Sequence, residues 1–226
     1  MGKGYMTNLS VGFGHESKSI SDQVCDTIRR LIINKSIPSG ERLVETKMAK
    51  DLAVSITPVR QAFSELANEG LLTVYPFKGT YVTEISYAYV RNAIQTRVIL
   101  ETGAVGLCFD SLTEADARQL LLHTERSDEY CSKGLIFEAT EEDLNFHEYF
   151  FRKCDNDLML RLWKVLRTRI QYIQSYTKPQ ILPSDYLRKR HSGMIDALKQ
   201  KDKGLFLSNL VNHIETSFDY QYFQEH

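Results

Sequence analysis

Hydrophobic positions first recur at helical spacing in Val24, Ile28, Leu31 and Ile32, with Ser21 just ahead of them as a capping type of residue. Ile37-Pro38-Ser39-Gly40 breaks that helix. A second, short helix is predicted from Glu45 to Leu52, with Met48, Ala49 and Leu52 turned inward. After the turn Ala53-Val54-Ser55, a third helix is predicted from Pro58 to Glu69, with Thr57 as N-cap and Gly70 as its stop. Val59, Ala62, Phe63 and Leu66 form its inner face. The pattern then turns strand-like. Leu71–Tyr75 reads as a strand, Pro76-Phe77-Lys78-Gly79 as a turn, and Thr80–Thr83 as the return strand. Three helices followed by a β-hairpin predict a winged helix-turn-helix.

Beyond Ser86 the strand signals stop. Helical period runs from Tyr89 to Phe109, restarts at Thr113 as N-cap, and continues at about Ile136–Lys153, Asp157–Tyr176, Ser184–Gln200 and Lys203–Phe223. The expected fold class is therefore mostly α: the winged helix-turn-helix at residues 20–85, then an all-α antiparallel bundle at residues 86–226. Residues 1–19 are Gly- and Ser-rich and weakly patterned, as expected of a flexible leader.

Composition narrows the class without naming a function. The 226 residues are 42% hydrophobic and 25% charged, an ordinary globular balance. No long apolar run or signal-type leader is present, so no membrane association is expected. Cys25, Cys108, Cys131 and Cys154 are widely spaced and form no C-x-x-C pair, so reduced thiols are expected. Net charge is −1, and acids nearly balance bases even within residues 17–85. Nucleic-acid binding must then rest on geometry: a helix-turn-helix places the start of its second helix in a DNA major groove.

Two sets of residues carry candidate chemistry. Arg60 lies on the first turn of the third helix, where a guanidinium can bond guanine O6 and N7, or alternatively pair with Glu65 or Glu69. Asp143 and His147 are spaced i, i+4 on one helix face, while His191 and His213 fall on two later helices. A carboxylate with three imidazoles suits a first-row divalent metal, although each residue alone has an ordinary core or surface reading.

The stretch GERLVETKMAKDLAVSITPVRQAFSELANEGLL resembles the DNA-binding domain of the GntR family of bacterial transcription regulators, and YPFKGTYV resembles that family's wing. The helical part resembles the FCD ligand-binding domain of the FadR subfamily. The resemblance implies a cytoplasmic homodimer that binds a palindromic operator in double-stranded DNA, most often as a repressor, under control of a small carboxylate metabolite. By position it implies DNA contacts from Ser55, Thr57 and Arg60, and minor-groove contacts from Lys78 and Gly79. One departure stands out: Ile56 replaces the family's arginine, and Gln61 replaces its usual glutamate. An altered operator preference or weaker binding is expected.

The same resemblance gives Asp143, His147, His191 and His213 as ligands of a divalent Zn, Ni or Mn ion. It places Arg97 in the effector cavity, where it can clamp a carboxylate; its alternative is a surface pair with Glu101. Helical spacing adds Arg169 and Tyr172 as cavity candidates, whereas His15, His123 and His226 are expected in solvent. Two alternatives stay open. One is a metal-dependent hydrolase with an appended interaction domain; the other is a regulator whose metal is purely structural.

Overall fold

A computed structural model describes residues 18–177 and 185–217. Of the leader expected at residues 1–19, residues 1–17 lie outside the described residues and Ser19 belongs to the cap of the first helix; the helix start expected at Ser184 and the extension expected to Phe223 also lie outside them. The chain divides into two compact units between Ile85 and Ser86.

The first unit is built from α1 (Ile20–Ile33), β1 (Arg42–Leu43), α2 (Glu45–Asp51), α3 (Ile56–Asn68), β2 (Leu72–Tyr75) and β3 (Gly79–Val82). Its strands form an antiparallel sheet ordered β1-β3-β2. Helix α1 starts two residues earlier than a cap at Ser21 would give. The cap is Ser19, not Ser21, and a capping box with Asp22 satisfies both backbone donors. Apolar faces of α1 and α3 meet in the core, where Ile28, Ile32, Val59, Ala62 and Leu66 have no exposed surface. Arg29 fastens the two helices at their rim, with Nε and Nη2 donating to Glu69 at 2.9 and 2.6 Å.

Two local expectations need correction here. The N-cap of α3 is Ser55 rather than Thr57, so Pro58 is the third helical residue. The N–H that proline lacks there is still one that no helical carbonyl would accept. Strand β1 was absent from the sequence reading because two residues carry no periodicity; it is defined by pairing Arg42 with Tyr81.

At the hairpin tip the Lys78 amide donates to the Tyr75 carbonyl at 3.1 Å. Pro76 occupies the first central position of this turn, and Phe77 the second at φ +64°. That is a type II turn, whose second central residue is favoured to be Gly or Asn. A bulky L residue in the left-handed region costs about 1–2 kcal/mol.

The second unit contains α4 (Tyr87–Cys108), α5 (Glu114–Ser132), α6 (Ile136–Lys153), α7 (Asp157–Thr177), α8 (Tyr186–Lys199) and α9 (Lys203–Glu215), with one 3-10 turn at Phe109–Ser111. Helix α6 carries the largest inner face, including Ala139, Leu144, Phe146, Phe150 and Phe151. It packs on α4, α5 and α7, while α8 and α9 close the bundle against α5 and α4. Outside the core, Leu158, Leu162 and Val165 form an exposed stripe at i, i+4, i+7 on α7, and Ile99 and Leu107 are exposed on neighbouring α4.

A buried carboxylate ties α5 to α6. Asp116 accepts from the Thr113 amide at 2.7 Å and the Thr113 hydroxyl at 2.6 Å, and from the Tyr149 hydroxyl at 2.5 Å; Lys153 Nζ lies 2.6 Å away. Burial alone would raise its pKa. The Lys153, Thr113 and Tyr149 bonds outweigh burial and hold the carboxyl well below the usual range. Its stabilisation is present above an unfolded pKa of about 3.9 and fades as pH falls toward the folded value. Asp116→Asn is expected to cost about 2 kcal/mol at neutral pH. In urea unfolding the gap from wild type should narrow below about pH 4; a constant gap would contradict the assignment.

Candidate metal centre and nucleic-acid interface

Four ligand-type side chains converge in the buried interior of the helical unit. Asp143 and His147 come from one face of α6, His191 from α8 and His213 from α9, and one ligand atom from each lies within 4.8 Å of all the others. His147 Nε2 is 3.1 Å from His213 Nε2 and 3.4 Å from His191 Nε2, while His191 Nε2 is 3.2 Å from Asp143 Oδ1. An ion bound at metal–nitrogen distances of about 2.0–2.1 Å holds adjacent ligands roughly 3 Å apart. With Asp143 Oδ1 3.8 Å from His147 Nε2, these separations would let the four side chains share one ion.

The outer contacts orient the rings. His147 Nδ1 lies 2.7 Å from Glu101 Oε2 on α4. His191 Nδ1 donates to the Leu187 carbonyl at 2.7 Å. With the proton on Nδ1 in both rings, the Nε2 lone pairs point at one another and at the shared centre. Such lone pairs repel unless a cation or a proton lies between them. Burial pushes His147 below its ordinary pKa. His213 is driven well below by burial together with the neighbouring His191 and His147 imidazoles. Neutral imidazole is the form that binds a metal. Gln174 on α7 donates to Asp143 Oδ2 at 3.4 Å.

Arg97 completes the cluster. It is fully buried, and its Nε donates to Glu101 Oε1. The i, i+4 spacing did indicate a pair with Glu101, but the pair is interior rather than on the surface. Burial would raise the Glu101 pKa; the Arg97 charge and the contact with His147 outweigh it and hold the carboxyl below its usual value. Both Arg97 Nη atoms are buried with no hydrogen-bond partner among the described residues. One arginine against Asp143 and Glu101 leaves a single negative charge. A divalent ion reverses that to a single positive charge, which one carboxylate neutralises.

Not every expected residue gathers here. The Arg169 guanidinium sits 5.9 Å from the Tyr89 ring centroid, and Tyr172 packs edge-on against Tyr176 at 5.5 Å. At about 100° per helical residue, both project roughly 140–160° away from Gln174, which is the α7 side chain that reaches the cluster. His123, expected in solvent, is instead largely buried with Nδ1 2.6 Å from Glu142 Oε2. His15 and His226 lie outside the described residues. Glu101, Gln174 and the Leu187 carbonyl were missed by the sequence reading. Glu101 at i+4 from Arg97 was its only visible sign.

In the first unit, Ser55, Thr57 and Arg60 are exposed at the start of α3, and Lys78 is exposed at the hairpin tip beside Gly79. Arg60 Nε pairs with Glu45 Oε2 at 3.2 Å, so its partner is on α2. Glu69, one expected partner, is engaged by Arg29. Gly79 has φ +112°, and a Cβ placed there would meet Arg42 Nε at 3.1 Å. Glycine therefore admits Arg42 to the wing, adding an exposed cation that the sequence reading had not placed there. Ile56 is the first residue of α3 and only partly exposed.

A winged helix-turn-helix unit followed by an all-helical unit is the architecture of a class of DNA-binding regulators. The bacterial regulatory proteins of the gntR family match residues 20–82, and the FCD domain matches residues 92–216. The chain belongs to the GntR family of transcriptional regulators, with an FCD domain behind its helix-turn-helix domain. The HTH-type transcriptional repressor RspR of Escherichia coli K12 is 25% identical over 88% of this chain and 87% of its own length. The gluconate operon transcriptional repressor of Bacillus subtilis is 25% identical over 85% of this chain and 81% of its own length. The E. coli McbR/YncC structure shares the fold, with a TM-score of 0.74 at 23% identity, covering 92% of this chain and 99% of that one. No helix among the described residues is long and apolar enough to cross a membrane.

Proposed function

We propose that the chain is a metabolite-responsive transcriptional repressor acting in the cytoplasm as a homodimer on operator DNA. The observation that carries the ligand-responsive part is the buried meeting of Asp143, His147, His191 and His213 with Arg97. The four residues would hold one divalent Zn, Ni or Mn ion, which supplies Lewis acidity toward a carboxylate oxygen. Arg97 would take the same carboxylate through its two unpartnered Nη groups. Glu101 holds both the Arg97 and the His147 side chains in place. The charge reversal on metal loading favours a small organic acid as effector. The regulator relatives, one named for a gluconate operon, support this reading over a hydrolase.

Ser55, Thr57 and Arg60 would meet the major groove, with Lys78 and Gly79 at the minor groove. The exposed α4 and α7 stripe offers a self-complementary apolar face for the dimer. Two linked heads make the readout sensitive to a small shift in their spacing.

The DNA-binding part is tested with the metal-loaded full chain and duplexes selected from a random pool. Binding should be sequence-selective and salt-dependent. Arg60→Ala should relax selectivity at one base position at a cost of about 1–3 kcal/mol. Equal affinity for selected and scrambled duplexes would overturn the reading.

A further inference from the structure

Among the described residues, Phe77 has no partner that explains its place. Its side chain is fully exposed, at 109% of the reference surface, and its backbone stands at φ +64°. The turn favours glycine there, so an aromatic side chain strains the free head and gains no packing in return. Everything around it is braced. Tyr75 pairs with Gly79 across the hairpin, the Tyr75 and Tyr81 rings meet edge-to-face at 5.6 Å, and the Tyr81 hydroxyl donates to the Lys78 carbonyl at 3.4 Å. An exposed apolar ring is thus held at the apex of a stiff hairpin, with exposed Lys78 next to it in the chain and exposed Arg42 against Gly79. Cations around a projecting apolar tip are complementary to a groove walled by phosphates.

We propose that Phe77 is a wedge that enters between adjacent base pairs from the minor-groove side of the bound DNA. This inference rests on the DNA-binding reading above. A minor groove about 6 Å wide admits a hairpin tip, and apolar side chains inserted there unstack a base step and bend the duplex. Lys78 and Arg42 hold the flanking phosphates while the ring enters. The strain at residue 77 keeps the ring projecting before DNA arrives.

The test uses the full chain and its selected duplex, with 2-aminopurine placed in turn at successive steps of the minor-groove contact region. Phe77→Ala should weaken binding at least tenfold and abolish the fluorescence rise that wild type produces at one step. The salt dependence of its affinity should match wild type, because no phosphate contact is lost. Lys78→Ala should instead lower the salt slope by about one. Phe77→Gly separates strain from contact: it should melt higher than wild type yet bind as weakly as Phe77→Ala. The inference is overturned if both Phe77 variants bind like wild type while Lys78→Ala weakens binding. It is also overturned if wild type brightens no 2-aminopurine step. A wild-type chain that selects no duplex overturns the DNA-binding reading, and this inference with it.

Discussion

Arg97→Met is expected to destabilise the metal-free chain by about 3–5 kcal/mol, because it removes one partner of a buried ion pair. Methionine keeps much of the volume, so the loss is chiefly electrostatic. Glu101 is 2% exposed and would be left buried with His147 as its remaining charged or polar contact of note. Arg97→Met with Glu101→Gln should recover a large part of the loss, since neither charge then remains to be solvated. Trp163, the chain's one tryptophan, is fully buried and stacked on Phe151 at 4.7 Å, so its fluorescence follows unfolding. A loss under about 1 kcal/mol for Arg97→Met would mean the pair is solvated or rearranged in solution.

The second large effect concerns the metal. An ion present at a thousand times its dissociation constant stabilises the folded state by about 4 kcal/mol. For a chain of this size that raises the melting temperature by roughly 8–16 °C. Zinc, nickel or manganese added to chelator-treated protein should show such a rise for at least one ion, with one bound per chain. His191→Ala removes a ligand whose Nδ1 is already fixed by the Leu187 carbonyl. It should abolish most of the rise while leaving the metal-free protein folded. An undiminished rise in His191→Ala would place the ion elsewhere.

Helical spacing alone made only one pair of this cluster legible; that His191 and His213 join Asp143 and His147 came from the family resemblance, since single histidines on later helices do not say that they meet. Asp143 and His147 share a face by spacing alone, and the later histidines lie on helices whose apolar period was plain. What escaped was decided by packing between helices. The Arg97–Glu101 spacing showed a pair, but it is the packing of α6, α7 and α9 on α4 that buries α4's inner face, with Glu101 beside His147 of α6. On α7 it is Gln174 that reaches the cluster, whereas Arg169 lies by Tyr89 and Tyr172 by Tyr176; a helix buried over a wide arc does not advertise which arc meets the ligands. In the head, the two-residue strand at Arg42 is fixed by its pairing with Tyr81, which no local pattern encodes. The cap of α3 was displaced by two residues because Ser55 and Thr57 are both capping types, and Pro58 is tolerated throughout the first turn.

The central claim is that ligand binding in the body governs DNA binding by the head. It is tested most directly by the operator affinity of the metal-loaded full chain, measured by fluorescence anisotropy with and without organic acids. The acids, citrate and gluconate among them, are first ranked by the melting shift they cause. The account predicts that the acid giving the largest shift changes operator affinity about 5–150-fold, the usual range of coupling between two sites. Operator affinity unchanged by an acid that stabilises the body, or no stabilisation by any acid in the panel, would contradict it.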